Sequence, residues 1–247
     1  MNVTKSLNTY SDIESNTNFK EPSLNIKTII NCKNGINCVS YSPNGNNIVS
    51  GSSDNNIHIW DINNGHCIKY CYGHTNSITC ISYSSNGKYI VSGSRDKSIR
   101  VWNTDTNNCI KICDDTFVLG ATMPYKNMFG HTNSIICVAF SIDCKFIVSY
   151  SVDKTIRIWN TIDSKCIKIF PNHLESISNI IYSQDNKFII SNSVNSTMCI
   201  WDTDNGICIK KYTDDKNPIL FSQTFMYNIS GMIILSLICL FGLFKIY

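Results

Sequence analysis

Residues 73–103 read GHTNSITCISYSSNGKYIVSGSRDKSIRVWN, and most of the chain is a rewording of this stretch, a connection between rewordings, or an end. Its tryptophan, Trp102, has counterparts at Trp60, Trp159 and Trp201, spaced 42, 57 and 42 residues apart. The middle gap is one 42-residue unit with 15 residues inserted. Fixed self-similarity at this period marks a repeat architecture and must be read before any single element. Each unit carries an apolar stretch (Ile36 to Tyr41, Ile78 to Tyr83, Ile135 to Phe140, Ile177 to Tyr182) followed by a polar turn. Then come IVSGS, IVSGS, IVSYS and IISNS, next IHIW, IRVW, IRIW and MCIW, and last a Cys-Ile-Lys run. Four short runs rich in Ile, Val and Tyr, divided by Asn, Gly, Asp and Ser, predict a four-stranded antiparallel sheet per unit.

One such sheet buries too little on either face, so successive units must stack. Stacked four-stranded units of this length make propeller blades. The sequence resembles the WD-repeat (beta-transducin-like) family over about residues 25 to 212. The resemblance rests on the pairs Gly73-His74 and Gly130-His131, on Trp60-Asp61 and Trp201-Asp202, and on Asp54, Asp96 and Asp153, each six residues before a Trp. It implies an all-β propeller of four recognisable blades, small and open or incompletely closed. In that family a His, a Ser or Thr, an Asp and the Trp of one blade form a buried hydrogen-bonded chain. Carried over, the sets are His74, Ser92, Asp96, Trp102 and His131, Ser149, Asp153, Trp159. A Ser, a His and an Asp together also invite a catalytic reading, but recurrence once per blade favours a structural one.

The outer units depart from the pattern. Counting back from Asp54 as from Asp96 to His74 lands on Cys32, so the first unit has Asn31-Cys32 in place of Gly-His. The fourth keeps His173 but has Asn195 where the Asp belongs. Looser outer blades are therefore expected. Asn25 to Ile30 (NIKTII) reads as the last strand of a missing earlier blade, one strand more than a closed four-blade ring needs. The alternatives are tight closure, an open arc with an exposed edge, or completion by a second chain. An exposed edge is a pairing hazard and leads to the expectation of a partner or a homo-oligomer through the open propeller edge.

Composition narrows the function. With 43% apolar and 16% charged residues among 247, and a formal charge of +3, the chain is an ordinary globular one. Its Lys and Arg are scattered, so no nucleic-acid partner is expected. Thirteen cysteines occur. Cys67, Cys109, Cys166 and Cys208 share one repeat position, and Cys38, Cys80 and Cys137 another, as small buried hydrophobes would. No CxxC pair or Cys/His knuckle appears, so no metal and no cofactor is expected. His58 fills the place of Arg100 and Arg157 and reads as a solvated side chain; His66 and Glu175 have no partner near in sequence.

Beyond the repeats, residues 1–24 form a polar arm without a secretory core, which places the propeller in the cytoplasm. The 15-residue insert, about Asp114 to Met128, carries Phe117, Leu119, Met123 and Tyr125. Two roles stand for it: an anchor for another protein, or a flap over its own blade. After a linker at 213–225, Met226 to Phe244 runs 19 residues without a charge, near the length of a transmembrane helix. It predicts a single-pass C-terminal anchor, against a terminal strand that caps the fold. The expected function is a non-catalytic protein–protein interaction scaffold of the WD-repeat type, tethered to a membrane. The competing readings are a degenerate repeat fragment and an enzyme carried on the propeller. The four Trp-Asp sites read WDIN, WNTD, WNTI and WDTD, so the Trp-Asp-x-Arg variant associated with ubiquitin-ligase adaptors is absent.

Overall fold

The computed structural model describes residues 34–113, 130–170, 176–194 and 197–213. Among them are sixteen strands in four sheets, each built from four consecutive antiparallel strands. Blade 1 comprises β1 (Ile36–Tyr41), β2 (Asn47–Ser52), β3 (Ile57–Asp61) and β4 (Cys67–Cys71). Blade 2 comprises β5 (Ile78–Tyr83), β6 (Tyr89–Ser94), β7 (Ile99–Asn103) and β8 (Cys109–Cys113). Blade 3 comprises β9 (Ile135–Phe140), β10 (Phe146–Ser151), β11 (Ile156–Asn160) and β12 (Cys166–Phe170). Blade 4 comprises β13 (Ile177–Tyr182), β14 (Phe188–Ser193), β15 (Thr197–Asp202) and β16 (Cys208–Thr213). The all-β, four-blade expectation holds. NIKTII, Asn31-Cys32, His173, Glu175, Asn195 and both chain ends lie outside the described residues.

The turns explain the abundance of Ser, Asn and Asp. At the first turn of each blade a Ser hydroxyl donates to the side chain two residues on: Ser42 to Asn44, Ser84 to Asn86, Ser141 to Asp143, Ser183 to Asp185. The next residue takes a positive φ, at Gly45, Gly87, Cys144 and Asn186. Gly adopts that backbone without strain and Asn at small cost, whereas Cys144 is held there by the same local bonds.

The blades pack face to face, β1 on β5, β5 on β9, and β9 on β13. Three clusters fill the spaces between them. Val49, Ile57, Ile59 and Cys71 of blade 1 meet Ile78, Ile81, Ile90 and Trp102 of blade 2. Equivalent residues join blades 2 and 3 around Trp159, and blades 3 and 4 around Trp201. Polar ties repeat as well. Asn37 Nδ2 donates to Ile78 O at 2.9 Å, and Thr79 Oγ1 to Ile135 O at 2.6 Å. On the outer strands Lys69 Nζ reaches Asp105 O at 3.3 Å, Lys111 Nζ reaches Ile162 O, and Lys168 Nζ reaches Thr203 O at 2.7 Å. Among the described residues no comparable packing joins β13 to β1, so the four blades form an open arc. What is open is a blade face; each described sheet already has its four strands.

Candidate functional site

The polar groups inside the blades come together in sets. In blade 2, His74 precedes β5, Ser92 lies on β6, Asp96 sits in the β6–β7 turn and Trp102 is on β7. His74 Nδ1 is 2.7 Å from Asp96 Oδ2, and its Nε2 is 2.7 Å from Ser92 Oγ. Trp102 Nε1 donates to the same Ser92 Oγ at 2.8 Å. Blade 3 repeats the set: His131 Nδ1 to Asp153 Oδ2 at 2.8 Å, Nε2 to Ser149 Oγ at 2.7 Å, and Trp159 Nε1 to Ser149 Oγ at 2.8 Å. An ionised carboxylate only accepts, so Nδ1 carries the imidazole proton, and Nε2 accepts from the Ser hydroxyl. That hydroxyl oxygen in turn accepts from the indole. Every donor in the chain has one acceptor.

Asp96 and Asp153 also anchor the loop ahead of the first strand, accepting from Thr75 N and Thr132 N, each at 3.0 Å. Burial alone would raise both carboxyls. The bond from the His and those from the hydroxyl and backbone N–H of Ser98 or Thr155 outweigh that and hold them well below the usual carboxylate range. Burial, partly countered by Asp153, pushes the His131 pKa down, which agrees with a neutral ring beside an ionised acid.

The connectivity Asp–His–Ser is that of a nucleophile relay, but the surroundings are not. Ser92 and Ser149 are fully buried, each hydroxyl oxygen is occupied by an indole N–H, and the set occurs twice. A substrate carbonyl has no approach to either hydroxyl.

Blade 1 solves the same problem differently. His58 is 6% exposed and places Nε2 3.0 Å from Asp54 Oδ2, while Asn34 Nδ2 donates to the same oxygen at 2.6 Å. The expectation of a solvated His58 is thus corrected. It sits on β3 one turn from Asp54, stacked beside Trp60 with ring centroids 5.7 Å apart, so burial and a local carboxylate claim it. Trp60 Nε1 still donates to Ser50 Oγ at 2.9 Å. In blade 4, Trp201 Nε1 donates to Ser191 Oγ at 2.9 Å.

The cysteine positions divide by blade. Cys80, Cys137 and Cys166 are buried, while Cys38, Cys67, Cys109 and Cys208 are half-buried. All cysteines among the described residues are free thiols. Cys38, Cys80 and Cys137 line a cavity of about 120 Å³ where the innermost strands converge, together with Thr79, Ser178 and Asn179. Burial pushes the Cys80 thiol up to about 12, which makes it a poor nucleophile at neutral pH. Among the described residues no group of His, Cys, Asp or Glu has the geometry to hold a metal ion. Phe117, Leu119, Met123 and Tyr125 lie outside the described residues, as does 226–244. Among the described residues no helix is long and apolar enough to cross a membrane.

Four repeated sheets with a Trp–Ser pair in each define a WD-type propeller module. The family model for the WD domain, G-beta repeat, matches residues 24–61, 65–103, 123–160 and 164–202, and the chain belongs to that family. It is similar to the nuclear distribution protein nudF 1 of Talaromyces marneffei, 30% identical over 57% of this chain and 28% of that protein. It also resembles transcription initiation factor TFIID subunit 5 of Arabidopsis thaliana, 25% identical over 57% of this chain and 16% of the relative. A notchless protein homolog of the same plant is 39% identical over 21% of this chain and 11% of its own length. The chain therefore spans less than a third of each of these relatives.

Proposed function

We propose that the chain is a non-catalytic protein–protein interaction scaffold, with the repeats at 25–212 as its working part. The carrying observation is that the buried titratable sets of the central blades are consumed by folding, which leaves surface for recognition. Membership of the WD family supports this, as does likeness to a protein named as a subunit of an assembly. The contact surface is the insert after β8, with Phe117, Leu119, Met123 and Tyr125 as its apolar anchors. The apolar run at 226–244 tethers the scaffold to a membrane and leaves the propeller in the cytoplasm.

Two experiments test the two parts. Proximity labelling with the full chain is compared with a chain lacking 114–128, and carbonate extraction of the full chain with a chain ending at Asp215. Loss of specific neighbours on deleting the insert, and release from membranes only on removing the tail, are expected. An unchanged neighbour set would refute the insert as the contact, and a full chain that carbonate extracts would refute the tether.

A further inference from the structure

Among the described residues, three blade faces are covered by a preceding blade, and the fourth is not. Ile78, Ile135 and Ile177 begin the innermost strands of blades 2, 3 and 4 and are at most 1% exposed, whereas Ile36 in the same position of blade 1 is 42% exposed. Tyr41 is 40% exposed, against 7% for Phe140 and 4% for Tyr182. Ile48 is half-buried where Ile90, Ile147 and Ile189 are fully buried.

The margin of the other end is open too. Ile200 and Tyr212 of blade 4 are half-buried, while their counterparts Ile59, Val101, Ile158 and Cys71, Cys113, Phe170 are buried; Ile190 and Met198, at the middle of that face, are buried. The lysine ties run out at the same place. Lys69, Lys111 and Lys168 each reach a backbone carbonyl in the β-turn before the last strand of the next blade. Lys210, in their position, instead lies 4.9 Å from the centre of the Tyr212 ring. Lys168 reaches the Asp204 carbonyl as well as that of Thr203, and the turn residue of blade 1 matching Asp105, Ile162 and Asp204 is Asn63.

We propose that a second copy of this chain docks head to tail, the margin of its blade 4 on the blade 1 face of the first. The surface that covers such a face is made three times within the chain, always by the side of a blade that looks toward the next one. Ile200 and Tyr212 then cover Ile36 and Tyr41, and Lys210 reaches the Asn63 carbonyl. Two copies related by a twofold axis satisfy both ends at once, head on tail and tail on head, in a closed isologous dimer. This surface is separate from the insert, so the proposal stands independently of partner binding there.

The test is native mass spectrometry of the full chain with a head variant, Ile36→Asp with Tyr41→Asp, and a tail variant, Lys210→Glu with Tyr212→Asp. Near-ultraviolet circular dichroism checks that each retains its packing, and single substitutions Ile36→Asp and Lys210→Glu, both at exposed positions, serve where a double variant does not. The full chain is expected to be dimeric and each variant monomeric. A mixture of the two variants still has one intact head and one intact tail, and is expected to regain a dimer. A monomeric full chain, a dimer indifferent to either variant, or a mixture that stays monomeric overturns the proposal; a tail variant that stays dimeric beside a monomeric head variant also overturns it and would fit a head-to-head contact.

Discussion

Replacing Gly93 by Ala is expected to destabilise the chain by about 3 kcal/mol, at the upper end for overpacking a core. A Cβ on Gly93 would stand 2.4 Å from Ile135 Cγ2, 2.8 Å from Ile135 Cβ and 2.6 Å from Cys80 Sγ. Rotating the Ile135 side chain relieves only the first contact, because its Cβ is fixed by the backbone of β9 and the residue is fully buried. Blades 2 and 3 must separate locally, or the variant must strain its rotamers. Truncating the neighbour as well, Gly93→Ala with Ile135→Ala, should cost less than the sum of the two single changes, since one side chain vacates the space the other needs. Urea unfolding of the four proteins measures this; strict additivity would show that the two residues do not share the contact. Gly51 has the same relation to Ile78 and Cys38. The slot is not closed in every blade: blade 3 has Tyr150, whose hydroxyl meets the backbone of Ile177. Blade spacing is therefore set one interface at a time.

The second large effect is expected from Asp96→Ala. The change strips the acceptor from His74, from Thr75 N and from the Ser98 hydroxyl and N–H. Losing charge-assisted bonds and leaving a buried imidazole without its partner should cost about 2–4 kcal/mol. The pH dependence has a definite sign. Folding depresses the Asp96 and Asp153 pKa values from the ordinary 3.8, so their contribution is fully present above that value and is lost as pH falls through the lower folded values. His131 is depressed from 6.5, so its protonation also favours the unfolded chain, and stability begins to fall below that pH. Unfolding at a series of pH values from neutral to 3 should show this decline, flattened at its acid end in Asp96→Asn with Asp153→Asn. Stability that rises on acidification would contradict the assignment.

Much of the fold is written in the repeat, because a strand that recurs at a fixed offset, bounded by the same turn residues, has one structural meaning in every copy. The polar turn after each first strand is legible for that reason. His58 was not, because it takes a position held by Arg100 and Arg157 in the central blades, and only the folded turn brings it within reach of Asp54. Nothing in the sequence assigns a partner to the lysines of the outer strands. Their reach to the next blade depends on the stagger between sheets, which no single repeat encodes. The openness of the arc is likewise a property of how blades meet. The insert and the apolar tail carry no repeat signal, and their residues lie outside those described.

Blades 2 and 3, each with a complete His–Asp–Ser–Trp chain and a neighbour on both faces, are expected to hold the fold, with blades 1 and 4 as its weaker ends. Native-state hydrogen exchange on the chain carrying Ile36→Asp, kept monomeric, addresses this most directly. Amides of β6, β7, β10 and β11 are expected to exchange about tenfold or more slowly than those of β1, β2 and β16. Equal protection of all four blades would contradict the account.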